Sequence, residues 1–404
     1  MGLGRASRTA LALALLASVA CTAARAADLA VKVGVLNDRS GIYSDLGGEG
    51  SVVAAQMAIE DFKAIDKDIA ISLISADHQN KPDIGSNIAR QWYDQNGVDI
   101  ILDVPTSSVA LAVAQVSREK KKVFMDSGAG TSDLTGAQCS PYTVHWTYDT
   151  YALAKGTAGA LVRQGGKSWF FITADYAFGH ALERDATTII KAAGGTVVGS
   201  ANVPFPATDF SSFLLQAQGS GAQVVGLANA GGDTINSIKQ AHEFGLTAGG
   251  QKLAGLLIFI SDVHSLGLEV AQGLLLTEAF YWDENEGTRA WSKRFAARMG
   301  GRMPTMDQAG VYASLMDYLK AVDALKSKDS DAVMKWMKSN PTDDPLFGKG
   351  SIRADGRTLH DMYLYQVKTP GESKGPYDYY NLVATIPAAE AFRPMSEGGC
   401  PLVK

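Results

Sequence analysis

From Val31 onward the chain alternates short β-branched or apolar runs with longer amphipathic stretches, a pattern that predicts strand, helix, strand in repetition. Residues 31–36 form the first run and end in the polar turn Asn37-Asp38-Arg39-Ser40-Gly41. Val52, Val53, Gln56, Ile59 and Phe62 then follow helical spacing, with Ser51 as the expected N-cap. Strands are predicted at 69–76, 98–104 and 123–125, with one helix at 84–96 stopped by Gly97. A further helix, capped by Ser107 or Ser108, should run through Ser117 into the basic residues 118–122, where positive charge suits the helix dipole. The alternation then restarts. Strands are predicted at 168–173, 196–203, 223–228 and 253–260, with helices at 179–193, at 209–218 and from an Asp233 cap to 244. No residue-level repeat links the halves, yet the architecture is duplicated: an α/β chain of two doubly wound lobes, with a cleft where the strand ends face each other. The last third is mixed. Trp291, Phe295 and Met299 make a helical stripe, 308–325 a long amphipathic helix, 351–353 and 362–367 short strands, and the tail is loop-rich, with Pro370, Pro376, Pro387 and Pro394.

Ahead of this pattern, Arg5 and Arg8 precede a small and apolar run at 10–20 that closes on Ala24-Arg25-Ala26. That order is a secretory signal, cleaved after Ala26, and the run is about half the roughly 20 residues needed to cross a bilayer. A second reading makes Cys21 a lipid-attachment site, although the leucine usual three residues earlier is missing. The expected location is the periplasm. The whole chain has 404 residues, 37 basic and 42 acidic; without Arg5, Arg8 and Arg25 the mature 378 residues carry 34 against 42, a charge of −8. Such a balance excludes a nucleic-acid binder. With 46% hydrophobic and 20% charged residues the chain can bury a large core, and its length argues for two or three domains. Of the three cysteines, Cys21 leaves with the signal; Cys139 and Cys400 remain in an oxidising compartment, where a disulfide tying the tail to a loop is expected, with two separate buried thiols as the alternative.

The catalytic search is nearly empty. There is no Gly-x-Ser-x-Gly elbow and no phosphate loop; His242-Glu243 meets Leu246 where a zinc protease needs histidine, and Gly128-Ala129-Gly130 meets Asp133 where a dinucleotide turn needs glycine. The six histidines never approach metal-ligand spacing. No catalytic residue, metal or cofactor is therefore expected. What the chain offers instead is polar turns just after strands. Pro105-Thr106-Ser107-Ser108 and the run from Asp126 through Ser127, Gly128, Ala129 and Gly130 to Thr131 would aim hydroxyls and free amides at one spot, an anion site, unless Ser107 and Thr131 only cap their own helices. Facing them stand Asp175-Tyr176-Ala177-Phe178-Gly179, Asn229-Ala230-Gly231-Gly232-Asp233 and Ser261-Asp262-Val263-His264. Phe178 would meet an apolar ligand body, and an acid a cationic group; the plainer alternative makes Phe178 core and Asp233 a cap.

Val33-Gly34-Val35 before Ser40-Gly41, the helix with Ala55-Gln56-Met57-Ala58-Ile59-Glu60-Asp61, the Ser107-Ser108 turn, Ser132-Asp133-Leu134-Thr135, Asp175-Tyr176-Ala177-Phe178-Gly179 and Gly273-Leu274-Leu275 occur in a set order. Over about 30–370 this order resembles the periplasmic leucine/isoleucine/valine-binding protein family, the type I solute receptors of ABC importers. The resemblance implies a Venus flytrap, two Rossmann-like lobes joined by three hinge crossings, near 146–149, 281–283 and 345–347. One lobe would comprise 27–147 with 283–346, the other 148–282 with 347–404 including the tail. It implies that the turns with Ser107, Ser108 and 127–131 grip a ligand carboxylate, that Phe178 supplies an aromatic ring, and that the ammonium-binding acid falls near Ser261-Asp262. The residues around Asp262 depart from the amino-acid receptors. Tyr43, Trp146, Tyr148, Tyr151, Tyr281 and Trp282 fit an aromatic or keto acid equally well. The implied partners are a small carboxylate and, transiently, an inner-membrane ABC permease, with the receptor a monomer. Two rivals are a periplasmic sensor of the same fold, separable by genome neighbourhood, and an exported hydrolase, separable by turnover. Thiol titration of the unfolded, unreduced mature protein should find no free sulfhydryl; two would end the disulfide expectation.

Overall fold

The structure, a computed structural model, describes residues 29–403 together with Met1. The signal at 1–26, its cleavage after Ala26 and the Cys21 alternative lie outside the described residues. The first part runs β1 (Ala30–Asn37), α1 (Gly48–Lys63), β2 (Ala70–Asp77), α2 (Pro82–Asp94), β3 (Ile100–Asp103), α3 (Ser107–Lys120), β4 (Val123–Asp126) and β5 (Thr143–His145). Its strands form one parallel sheet in the order β2-β1-β3-β4-β5. Side chains alternate across it: Ile100 and Leu102 of β3 and Val123 and Met125 of β4 enter one core, Ile101 and Phe124 the other. A sheet apolar on both faces has to be covered on both, and short crossovers deliver the helices that do so.

A helical stretch follows, α4 (Thr150–Leu153), a π-turn (Ala154–Ala158) and α5 (Gly159–Arg163), and the scheme repeats. β6 (Ser168–Ala174), α6 (Ala177–Ala192), β7 (Thr196–Val203), α7 (Ser211–Gly219), β8 (Val224–Ala228), α8 (Gly232–Glu243) and β9 (Lys252–Gly255) build a second parallel sheet, ordered β7-β6-β8-β9. Trp169 and Phe171 again face one core, Phe170 and Ile172 the other. Beyond it come α9 (Ile260–Leu266), α10 (Leu268–Ala271), β10 (Leu275–Glu278), α11 (Glu286–Arg298), α12 (Met306–Leu325), α13 (Ser330–Ser339), β11 (Thr342–Asp344), β12 (Gly348–Ile352), β13 (Thr358–Leu359), β14 (Met362–Val367), β15 (Tyr380–Ile386) and α14 (Ala388–Ala391). Helices α11 and α12 return to pack on α1, where bidentate Arg294–Asp61 and Arg298–Glu60 pairs tie the surfaces. Among the described residues no helix is long and apolar enough to cross a membrane.

Several expectations shift. The strand expected over 253–260 ends at Gly255, because its neighbour β8 offers its last register partner at Leu227, and Ile260 opens a helix instead. Helix α1 starts after Gly47, so Ser51 lies inside it rather than capping it. Asp233 sits within the first turn of α8 and its carboxylate accepts from the Ala207 amide, 3.0 Å away. β5, α13 and β15 had no forecast; β15 lies in the tail expected to be loop, an edge strand of mostly exposed residues between Pro376 and Pro387.

Cys139 and Cys400 form a disulfide, with Cα atoms 5.6 Å apart. The Arg393 guanidinium also donates to the Ser132 carbonyl at 3.0 Å, so the tail is fastened to the 132–139 loop and bridges stretches that the sequence reading assigns to different lobes. Closing 261 residues of sequence separation removes much denatured-state freedom. Replacing both cysteines by serine should therefore lower unfolding stability by about 2–4 kcal/mol, read as a lower urea midpoint; an unchanged midpoint would show that tail packing alone holds this end.

Candidate functional site

The carboxyl ends of the two parallel sheets face each other, and the turns leaving them line a small void. From the first sheet come Tyr43, Pro105, Gly128 and Gly130; from the second, Tyr176, Phe178, Ala230 and Leu257; Tyr148 stands between. The rims touch. The hydroxyls of Tyr43 and Tyr176 share a hydrogen bond at 2.5 Å, and the Gly232 amide donates to the Ile42 carbonyl at 3.3 Å. Phe205 stacks on Tyr176 with centroids 4.0 Å apart and leans on Tyr43 at 5.7 Å. Two conformational details place these rings. A Cβ on Gly179 would lie 2.0 Å from the Ala174 carbonyl oxygen, so glycine lets α6 begin hard against β6 and swings Phe178 into the cleft. A Cβ on Gly130 would come within 2.6 Å of the Phe178 ring, so the opposing rim approaches only bare backbone.

The 128–130 turn is held from behind. Tyr148 donates its hydroxyl to the Gly128 carbonyl at 2.5 Å, His145 Nε2 lies 2.6 Å from the Ala129 carbonyl, and the Ala129 amide donates to Asp126 Oδ1 at 3.1 Å. Burial holds His145 well below its usual value, so its neutral ring donates to Ala129, and burial raises Asp126 well above the carboxylate range. Burial also pushes Asp103 up to about 6, against hydrogen bonds from Ser51, Asn37 and Ser127. Asp103 and Val104 adopt φ of +78° and +64°, sparse values for non-glycine residues, directly before the 105–108 turn. The first turn of α3 receives no side-chain cap, since Thr106 points to Asn80, and its amides are left for another acceptor.

The structure distributes the sequence candidates unevenly. Tyr43, Gly128, Gly130, Phe178 and Ala230 line the void. Ser108 is half-buried at the start of α3. Ser107 is spent on its neighbour, its Oγ accepting from the Thr131 amide at 3.2 Å, while Thr131 accepts from the Asp133 amide and caps its own turn. Ser127 donates to Asp103 at 3.3 Å, and Ala129 is packed in the core behind the turn. Asn229 bonds Thr234 and Ser237 of the helix α8 that follows it. Asp262 accepts from the Phe259 amide at 2.9 Å, closing α9, and burial raises it to about 7. Tyr151 is not brought to the void; it stands on α4 beside the tail, where the Glu397 charge adds to burial in raising it. Sequence reasoning missed Leu46 and Leu257 in the lining and Phe205 at the rim, apolar residues with no local signal. Asp307 is fully buried on α12 with neither carboxyl oxygen hydrogen-bonded among the described residues.

A family model described as periplasmic binding protein matches residues 30–376. The chain is similar to a periplasmic binding protein from Burkholderia mallei solved by crystallography, with 52% identity and a TM-score of 0.91 over 93% of this chain and 100% of that one. It is also similar to the branched chain amino acid ABC transporter periplasmic ligand-binding protein of Burkholderia xenovorans, with 42% identity, a TM-score of 0.83 and the same coverage of each chain. Leu/Ile/Val-binding protein homolog 6 of Brucella melitensis is 25% identical over 381 residues, 92% of this chain and 95% of the relative.

The Gly130 contact carries a prediction. Gly130→Ala should hold the rims apart and weaken binding of any cleft ligand at least about tenfold, or 1.4 kcal/mol, with thermal stability of the unliganded protein unchanged. Calorimetric titration beside a melting curve checks this, and wild-type affinity in the variant would refute the close-approach argument.

Proposed function

Because this chain belongs to the periplasmic binding protein family, we propose that it is the extracytoplasmic solute receptor of an ABC importer. It captures an amino acid or related small carboxylate between its lobes and delivers it to an inner-membrane permease, as a monomer in the periplasm after removal of residues 1–26. The observation that carries this reading is the aromatic-walled void between two sets of strand ends, closed by rims that touch across it, a place a ligand reaches only if a hinge opens.

In this reading 27–147 with 283–346 form one lobe and 148–282 with 347–404 the other, hinged near 146–149, 281–283 and 345–347. Two of those stretches meet through a residue outside them: His360 Nε2 lies 3.0 Å from the Trp146 carbonyl, and Phe347 packs on both His360 and Phe280, next to the third. The ligand carboxylate lies against the uncapped amides of α3, Ser108 and the 128–131 turn, where the helix dipole favours negative charge. Phe178, Tyr148 and Tyr43 flank its body, and Ala230 bounds the far wall. Ser107, Ser127, Ala129 and Thr131 shape the turns by bonding or packing within them, and Asn229 and Asp262 do the same opposite. Relatives named for leucine, isoleucine and valine favour a branched-chain ligand, and the tyrosine walls suit a flat one equally.

A thermal-shift screen of branched-chain amino acids, aromatic carboxylates, keto acids and amides against the mature protein tests the class. A bound ligand at a hundred times its Kd should stabilise by about 2.7 kcal/mol, following RT ln(1 + [L]/Kd). No response to any carboxylate would overturn the reading.

A further inference from the structure

Beside the turn void the cleft holds a roomier cavity that the receptor reading leaves without a role. Asp45, Met299 and Arg302 wall one side of it, and Ser261, His264 and Tyr377 the other. Tyr377 lies one residue beyond the span matched by the family model, so membership assigns it nothing.

Three observations mark this cavity as prepared for a ligand. Tyr377 holds a φ of +67°, a strained value for a bulky residue. Its carbonyl accepts hydrogen bonds from the Tyr281 hydroxyl at 2.9 Å and from Trp282 Nε1 at 2.7 Å, which fix that backbone from the core side. The ring stacks on His264, centroids 4.4 Å apart and 12° from parallel, and His264 is steadied in turn by the Tyr379 hydroxyl at 2.7 Å. Next, the Ser261 hydroxyl is buried at the cavity wall without a hydrogen-bond partner among the described residues. Lastly, Arg302 commits only Nε to the Met299 carbonyl at 3.3 Å and approaches Asp45 no closer than 3.8 Å, leaving most of its planar donor fork uncommitted. A polarisable floor of Met299 and Met303 adapts to flat shapes.

We propose that this cavity is a second binding compartment of the cleft, taking a flat aromatic carboxylate with its ring on the Tyr377–His264 stack and its carboxylate on the Arg302 fork. Guanidinium geometry matches a carboxylate in two parallel hydrogen bonds, and Ser261 supplies a further donor. The flat acid is either the far end of a ligand anchored at the 128–131 turn or a second molecule. The proposal rests on the receptor reading in treating the cleft as a ligand site.

Calorimetric titration of the mature protein with benzoate and with biphenyl-4,4′-dicarboxylate tests it, using wild type, Arg302→Gln and Tyr377→Leu, with Trp282 emission as a local readout and Trp282→Phe as its control. A ligand reaching from the turns predicts that the diacid binds once, at least about tenfold tighter than benzoate, and loses that advantage in Arg302→Gln. A separate molecule predicts two benzoate sites, of which Arg302→Gln removes one. Either result should change Trp282 emission. Unchanged stoichiometry and affinity in the exposed-residue variant Arg302→Gln would overturn the proposal even if Tyr377→Leu failed to fold. Wild type binding neither probe would also overturn it, while a response to other carboxylates in the thermal-shift screen would leave the receptor reading standing.

Discussion

A guanidinium with no access to water, that of Arg357, joins the parts of this molecule that have to stay in register. It donates to the Tyr148 carbonyl at 2.8 Å and the Thr358 carbonyl at 3.0 Å, approaches Asp149 at 3.6 Å, and lies over the Phe392 ring at 4.6 Å. Burial lowers it to about 10, still protonated at neutral pH, so the surrounding carbonyls, carboxylate and ring must keep compensating the charge. Those groups belong to the chain leaving the first sheet, to β13 and to the tail. The adjacent Gly356 carbonyl accepts from the His145 amide at 2.9 Å, and the His145 ring holds the Ala129 carbonyl. One buried cation thus connects the tail, the junction between the sheets and the turn at the void.

The rims opposite are held more lightly. A hydroxyl pair, one amide–carbonyl bond and a three-ring stack meet there. Each contributes on the order of 1 kcal/mol net, and away from the void Ser132 adds a hydrogen bond to Asp185 and Arg184 an ion pair with Asp133. The 128–130 turn is thus backed by a buried network, whereas the rims meet through separate contacts of their own. Positive φ at Asp103, Val104 and Tyr377 places the strained backbone of this region around the two cavities, where surrounding packing over-determines it.

Much of the fold was legible because a doubly wound sheet writes itself as alternation. Every strand that contributes to either parallel sheet, apart from three-residue β5, appears as an apolar run, and the helices between them show helical spacing. Legibility failed where partners decided. The apolar stretch 253–260 reads as one strand, yet β8 supplies partners only as far as Gly255. β15 is a strand because β14 lies beside it. At the site the glycine turns and Phe178 could be named, since strand-end turns carry their own signature. Leu46, Leu257 and Phe205 look like ordinary core residues.

By itself the sequence determined the α/β class, the duplicated strand-helix order, the expectation that Cys139 pairs with Cys400 and the turns from which a site would be built. These follow from local periodicity, glycine and hydroxyl placement and residue counts, all carried within short stretches of chain. Only the tertiary structure decided that Ser107 is spent on the Thr131 amide, that Asp262 closes its own helix, that Tyr151 stands beside the tail, and that two cavities share the cleft. Such outcomes depend on which polar atoms meet across dozens or hundreds of residues, and a hydrogen bond once formed inside the protein is no longer on offer to a ligand.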